Sequence, residues 1–147
     1  MMASGDREKV LGIIKANAMH AFLATCDGDQ PRVRSISPIV EDDFSIWVAT
    51  SSKSRKVDQI KTNPKICLEF VQQPRGDRVA TVIGKAVIMQ DRGAKERIWK
   101  AASYDLGQFF PEGPGSADYC LLKIEIAKIE WWEGWEGGLH VFEPGRE

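Results

Sequence analysis

Histidine is scarce in this 147-residue chain, with two copies, and there are only three cysteines, Cys26, Cys67 and Cys120. No CxxC and no Cys/His pair at metal-ligand spacing occurs, which excludes a zinc motif, and an odd, widely spaced set of cysteines is no disulfide framework. Each cysteine falls in an apolar, strand-like run, so all three read as reduced core thiols. No stretch reaches the ~18 apolar residues of a membrane span. The opening MMASGDREKV carries neither an apolar signal core nor an Arg-rich presequence, so the chain is expected in the cytoplasm. Lys and Arg number 20 against 21 Asp and Glu, leaving no basic excess for nucleic acid or a membrane surface. There is no P-loop, no dinucleotide G-x-G-x-x-G and no catalytic triad. Any redox chemistry must therefore come from a bound group that the protein holds and orients.

What is there is an ordinary globular composition, 43% hydrophobic and 28% charged, so residues 1–147 read as one domain with its own core. Residues 4–19 suggest an amphipathic helix capped by Ser4 or Asp6, with Leu11, Ile14 and Ala18 at helical spacing. Strands follow at 20–26, 31–40, 43–50, 65–72, 78–90 and 118–132. Asp27-Gly28-Asp29 and Pro74-Arg75-Gly76-Asp77 supply turns. A short helix holds Val57 and Ile60 and ends at Asn63-Pro64; a second covers 91–102. In the last strand the apolar phase flips, from Leu122, Ile124 and Ile126 to Ala127, Ile129 and Trp131. A β-bulge produces such a flip. Six long strands with tight turns predict an antiparallel sheet that closes into a small barrel.

The segment Thr50-Ser51-Ser52-Lys53-Ser54-Arg55-Lys56 packs four hydroxyls and three cations between a strand and a helix. Backbone N–H groups at a helix start, hydroxyls and cations together suit a phosphate. Arg32 and Arg34 stand on a strand that can pair alongside. The plainer reading, a solvated basic turn with a serine helix cap, explains the same residues.

The runs ATCDGDQPRVRSISP and FSIWVATSSKSRKVDQIKTNPKICLEFV, then VATVIGKAVIMQD and KIEWWEGWEGGLHVF, resemble the FMN-binding split barrel of pyridoxamine 5′-phosphate oxidases. IWKAASYDLGQFFPEGPGSAD is similar to the general stress protein branch. The resemblance covers roughly residues 8–142. It implies a six-stranded antiparallel split β-barrel with flanking helices, FMN as cofactor, and a homodimer with flavin sites at its interface. By that resemblance Arg34 reaches the flavin phosphate and the main chain of Ser35 and Ile36 lines the ring. Thr50, Ser51, Ser54, Arg55 and Lys56 hold the phosphate, and Trp132 packs near the flavin from the partner. The departures fall on the substrate side. Gly138 and Val141-Phe142 flank His140 where the oxidases carry two arginines, and Ile39 and Val79 replace a lysine and a glutamine.

The expectation is therefore a flavin-dependent oxidoreductase that does not oxidise pyridoxine phosphate; its catalytic residues, substrate and electron donor stay unknown. The alternative is a flavin-binding or flavin-buffering stress protein without dedicated turnover; haem or a deazaflavin is a third. His140 reads as a tail histidine with no partner, or as a proton carrier at the flavin face. Trp99 and Trp135 fit a ligand pocket or plain packing, and Phe109 and Phe110 fit a loop folded over the barrel mouth or a hydrophobic anchor. Adjacent Trp131 and Trp132 must face opposite sides of the sheet. With Trp47 they imply an apolar outer face that a second copy covers.

Overall fold

The computed structural model describes residues 4–146. In chain order the elements are α1 (Ser4–Ala16), β1 (Ala21–Asp27), β2 (Gln30–Ile36), β3 (Ile39–Val40), β4 (Ile46–Ser51) and α2 (Arg55–Thr62). Then come β5 (Lys65–Val71), β6 (Arg78–Met89), α3 (Arg92–Ala101), β7 (Tyr119–Glu133) and β8 (His140–Phe142). All strands join one antiparallel sheet in the order β2-β1-β5-β6-β7-β4-β3, with β8 added on β7. Strands β2 and β3 sit at opposite ends of that order, yet only Ser37 and Pro38 separate them in the chain. Two residues span at most ~7 Å, so the sheet must curl until its edges meet. The result is mainly β, a split barrel with three α-helices packed on it.

The expected six strands are seven along the pairing path, plus the short β8. The single strand read over 31–40 breaks at Ser37-Pro38 because proline has no N–H to give the ladder, and Ser37 turns its hydroxyl to the Met19 carbonyl at 2.6 Å. The tail strand β8 carries too few residues to show a period. The first helix is shorter than the expected 4–19: it stops at Ala16, and a 3₁₀ turn at Ala18–His20 leads into β1. Asp6 sits inside its first turn rather than at its cap, and the Ser4 side chain lies outside the described residues. The β1–β2 hairpin has the two-residue turn Gly28-Asp29, with Gly28 at φ +60°. Glycine first and left-handed is the type II′ pattern, which matches strand twist.

The barrel core holds Leu23, Ile46, Val48, Leu68, Phe70, Val82, Leu122, Ile129 and Trp131 with Val10, Ile13 and Ile14 of α1. A second cluster lies outside the barrel, beneath α3 and the 102–118 loop, around Ile39, Trp47, Ile98, Phe110, Tyr119 and Leu121. It corrects the expectation for Trp47. That ring is 4% exposed in the single chain, covered by this cluster and by the Arg97 guanidinium. Its indole N–H donates to Glu41 Oε1 at 2.8 Å, so Trp47 needs no partner subunit. Trp131 and Trp132 divide as expected: Trp131 is buried in the barrel core, and Trp132 is half-buried on the other face. Cys120 is buried, but Cys26 and Cys67 are half-buried on the outward face of β1 and β5, not in the core. The same alternation fits a strand covered on one side and a strand covered on two, so sequence phase could not separate them.

The bulge lies where the phase flips. Ile83 pairs with Lys128 and Gly84 with Ile126, leaving Ala127 extra on β7. Gly84 is the residue that permits it, since a Cβ there would stand 1.9 Å from the Glu125 carbonyl oxygen. Backbone cannot yield as a side chain tip can. Gly84→Ala is therefore expected to cost about 3 kcal/mol, the upper end of overpacking, lowering the thermal midpoint by roughly 6–12 °C. A calorimetric scan against wild type checks it.

Candidate functional site

The curl brings β2 beside the end of β4, and a cavity of about 460 Å³ opens between them. Ser35, Ile36 and Ser37 form one wall, Val48 to Ser51 another, and Lys56 of α2 reaches in. Tyr104, Leu106, Phe109, Phe110 and Asp118 close the remaining side from the 102–118 loop. One end is thus polar, with a cation and hydroxyls, and the other is aromatic. That mixture in that volume suits an organic ligand with an anionic tail.

Lys56 is half-buried and donates from Nζ to Thr50 Oγ1 at 2.8 Å. Thr50 Oγ1 lies 3.5 Å from Ser54 Oγ, and Ser54, at the N-cap of α2, makes no side-chain cap bond. Arg34 is held in a fixed pose, with Nη1 donating to the Leu23 carbonyl at 3.0 Å and to Thr25 Oγ1 at 2.8 Å, and Nη2 to Gln59 Oε1 at 3.0 Å. Burial lowers the pKa of the Lys56 ammonium, and Arg34 lowers it further. Burial likewise lowers that of Arg34, with Arg55 and Arg32 adding to the effect. No carboxylate is among the groups that shift either cation. Lys56 and Arg34 are each held by neutral oxygens rather than by a carboxylate, so their charge is left for an anion to meet.

Asp118, the acid on the cavity wall, is turned to hydroxyls instead: its Oδ1 accepts from Ser51 Oγ at 2.7 Å and from Ser52 Oγ at 3.3 Å. Two of the four hydroxyls of the 50–56 segment are thereby spent on shaping the loop. Tyr104 donates its hydroxyl to the Ser37 carbonyl at 2.9 Å, and burial pushes its pKa up.

Of the residues singled out in the sequence, Ser35, Ile36, Thr50, Ser51 and Lys56 line the cavity together. Arg34, Ser54, Arg55 and Trp132 are not among its lining residues. Arg34 stands behind the wall on Thr25 and Gln59, Ser54 beside Thr50, and Arg55 is exposed at the head of α2. Trp132 pairs with Val79 at the far end of β7, whereas Thr50 pairs with Cys120 at its start. Twelve residues of strand at ~3.3 Å each separate them. Its indole N–H is buried without a hydrogen-bond partner. His140 does have a partner: it lies in β8 with its ring 4.7 Å from that of Trp131, and it is not a cavity residue. Missed in the sequence were Thr25 and Gln59, which orient Arg34, and Tyr104 and Asp118. The first two meet only through the tertiary fold, 34 positions apart. Among the described residues no group of His, Cys, Asp and Glu is placed to hold a metal ion.

Comparisons with known proteins agree with this architecture. The family model described as pyridoxamine 5′-phosphate oxidase matches residues 8–133. General stress protein 26 of Bacillus subtilis is 29% identical over 125 residues, 84% of this chain and 85% of that protein. A Clostridium acetobutylicum protein related to general stress protein 26 superposes with a TM-score of 0.80 at 19% identity, covering 97% of this chain and 96% of that one. A heme binding protein from Mycobacterium smegmatis superposes at TM-score 0.75 and 13% identity, over 98% of this chain and 60% of that one.

The cation cluster gives a direct test. Lys56 carries a lowered pKa in the fold, so between that value and its unfolded value the unfolded chain binds the extra proton and stability rises with pH. Lys56→Met removes the charge and keeps the stem. At neutral pH and low salt its thermal midpoint is expected to equal or exceed that of wild type, and the alkaline rise in stability should vanish. Inorganic phosphate should raise the midpoint of wild type and leave the variant unmoved. A midpoint well below wild type, with phosphate stabilising both equally, would show that the ammonium is not an unpaired cation awaiting an anion.

Proposed function

The chain belongs to the pyridoxamine 5′-phosphate oxidase family, and from that premise we propose that it binds FMN in the cavity between β2 and β4 and works as a flavin-dependent oxidoreductase in the cytoplasm. The observation that carries the reading is Lys56, held by Thr50 on the wall of a cavity that is also lined by aromatic rings, with Arg34 fixed behind that wall. A ribityl phosphate would lie against Lys56, Thr50 and Ser54, with the cluster's remaining charge behind it. The ring would lie along the main chain of Ser35 and Ile36. Bound there, the flavin supplies hydride and electron transfer; the protein's residues bind it, orient it and exclude water. Haem is disfavoured in this cavity, because no His, Cys or Met lines it and the Tyr104 hydroxyl is tied to the Ser37 carbonyl with its pKa pushed up by burial. Pyridoxine phosphate is disfavoured as substrate because the tail residues Gly138 and Val141-Phe142 offer it no cation.

A second reading, a flavin-binding or flavin-buffering protein without dedicated turnover, is favoured by one observation. The titratable groups on the cavity wall are Lys56, Tyr104 and Asp118, with Tyr104 pushed up and Asp118 tied to two serines. Neither histidine is there to pass a proton at neutral pH. Turnover with a reduced nicotinamide donor and an added acceptor separates the two readings.

Phosphate recognition has a sharp test. Replacing Arg55 and Lys56 together by Ala should weaken FMN about a hundredfold or more, at ~1.5–3 kcal/mol per charge-assisted contact. Riboflavin, which has no phosphate, should be weakened far less. Fluorescence titration of both ligands measures it, and equal losses would remove the phosphate assignment.

The proposed working unit is a homodimer. The outward face of β1, β5, β6 and β7 holds a mostly apolar hollow of about 670 Å³, lined by Ala24, Cys26, Cys67, Ile83 and Ala127, with Lys65, Lys85 and Glu125 also on its wall. Beyond it Trp135, Leu139 and Val141 are exposed, and Trp132, whose ring lies 6.5 Å from that of Trp135, has an indole N–H without a hydrogen-bond partner. A twofold partner would cover this face and carry its own Trp132 towards the cavity. Sedimentation should give about twice the 16.4 kDa chain mass. Trp132→Ala should weaken FMN about tenfold although every phosphate residue is intact; a monomer that binds FMN undiminished would rule out the shared site.

A further inference from the structure

Phe109 and Phe110 are adjacent in the chain and differ sharply in environment. Phe110 is 5% exposed, packed against Trp99 and Tyr119 with ring centroids 6.3 and 5.4 Å away. It anchors the loop to the cluster beneath α3. Phe109 lines the same cavity but is 64% exposed. A phenyl ring left mostly in water at a cavity mouth gains little from the fold; burying the rest of it needs something else.

Phe109 is nonetheless held in place. A hydrogen bond from its N–H to the Leu106 carbonyl at 3.0 Å fixes its backbone at the end of a 3₁₀ turn. The turn itself is capped by Asp105, whose side chain accepts from Gly107 N. The Phe109 ring meets Tyr104 edge-on, 6.5 Å between centroids at 85°. Tyr104 is in turn pinned through its hydroxyl to the Ser37 carbonyl, one residue beyond the proposed ring-facing main chain. Two aromatic rings are therefore fixed to the strand edge that would bear a planar ligand. The cation of the cavity is held elsewhere, by Thr50 at the end of β4.

We propose that Phe109, braced by Tyr104, is the second wall of the site and packs against a planar heteroaromatic ring held along Ser35–Ser37. The ligand class is a fused-ring heterocycle, and the assignment rests on the flavin reading above for the identity of that ring. The contact comes from the same chain as the phosphate residues, so it is separate from any Trp132 supplied by a partner. Phe109 contributes area and shape, and Tyr104 contributes position through Ser37. The ring's burial then covers the phenyl group that the free protein leaves in water.

Three ligands distinguish the subsites: FMN, riboflavin, and lumichrome, which is the ring system with neither ribityl chain nor phosphate. Phe109→Ala should weaken all three by a similar factor of about five to ten, unlike the phosphate variants, which spare riboflavin. Phe109→Trp should restore binding, since it keeps an aromatic face. Tyr104→Phe keeps the edge contact but loses the Ser37 bond, and should weaken lumichrome by a smaller factor. Because Phe109 is exposed, its variants should melt with wild type, which a thermal scan confirms. Unchanged affinity for all three ligands in Phe109→Ala overturns the proposal while leaving the flavin reading intact. Loss of FMN alone also overturns it. Phe109-dependent binding of lumichrome by a protein that shows no preference for FMN over riboflavin supports the wall and removes the phosphate assignment.

Discussion

The two-residue link Ser37-Pro38 is the constraint from which the rest of the molecule follows. It ties the first and last strands of the pairing order. A flat sheet of seven strands at ~4.8 Å spacing would put those edges nearly 30 Å apart, which the link cannot reach. The sheet must therefore curl, and the inside of the curl becomes the barrel core around Leu68, Phe70, Val82 and Leu122. Closure is incomplete because proline cannot continue a ladder. The gap where pairing fails is the opening beside Ser35–Ser37 and Val48–Ser51. Main chain at such a gap is free to meet a ligand, which main chain inside a ladder is not.

Around the gap the chain has placed charge and aromatic surface at different cost. The cations Arg34, Arg55 and Lys56 repel one another and, in the cases of Arg34 and Lys56, are partly desolvated. The fold tolerates this because Thr25, Gln59 and Thr50 supply neutral oxygens in place of carboxylates. A carboxylate would neutralise the cluster and compete with an anion. A hydroxyl or amide oxygen orients a cation without cancelling it. Asp118, the acid on the cavity wall, is occupied by Ser51 and Ser52 and so braces the loop. Burial raises the pKa of both Cys67 and Cys120, outweighing the pull of Lys95, Lys61 and Lys56 on Cys120, so neither is poised as a thiolate.

Local signals carried most of the strand pattern. Asp27-Gly28-Asp29 marked a hairpin, Asn63-Pro64 ended α2, and the change of phase at Ala127 marked the bulge that Gly84 admits. Each is decided within a few residues or by parity along one strand. Features decided by contacts far apart in sequence were not legible. Trp47 looked exposed because its covering comes from Ile98, Arg97 and Phe110, fifty or more positions away. His140 looked unpartnered because Trp131 reaches it only once β8 folds back. For the site, the 50–56 segment announced itself by composition. Gln59, Thr25 and Tyr104 are common residues whose placement only the closed barrel reveals.

The bulge in β7 makes the strand sensitive to counting. Upstream of Ala127 the inward residues are Leu122 and Ile124, downstream they are Ile129 and Trp131, and the single extra residue joins these two alternating series of opposite parity. Losing one residue between Ala127 and Trp131 would cancel the bulge, whereas adding one would exchange Trp131 with Trp132, sending the core indole to the outer face and the outer indole inward. Length changes are therefore far easier to absorb after Glu133, where Gly134, Gly137 and Gly138 carry the chain through a loop, than a single position earlier in the strand. By this arithmetic β7 acts as a ruler: it fixes which of two neighbouring, chemically identical side chains enters the barrel core and which stands on its outer face.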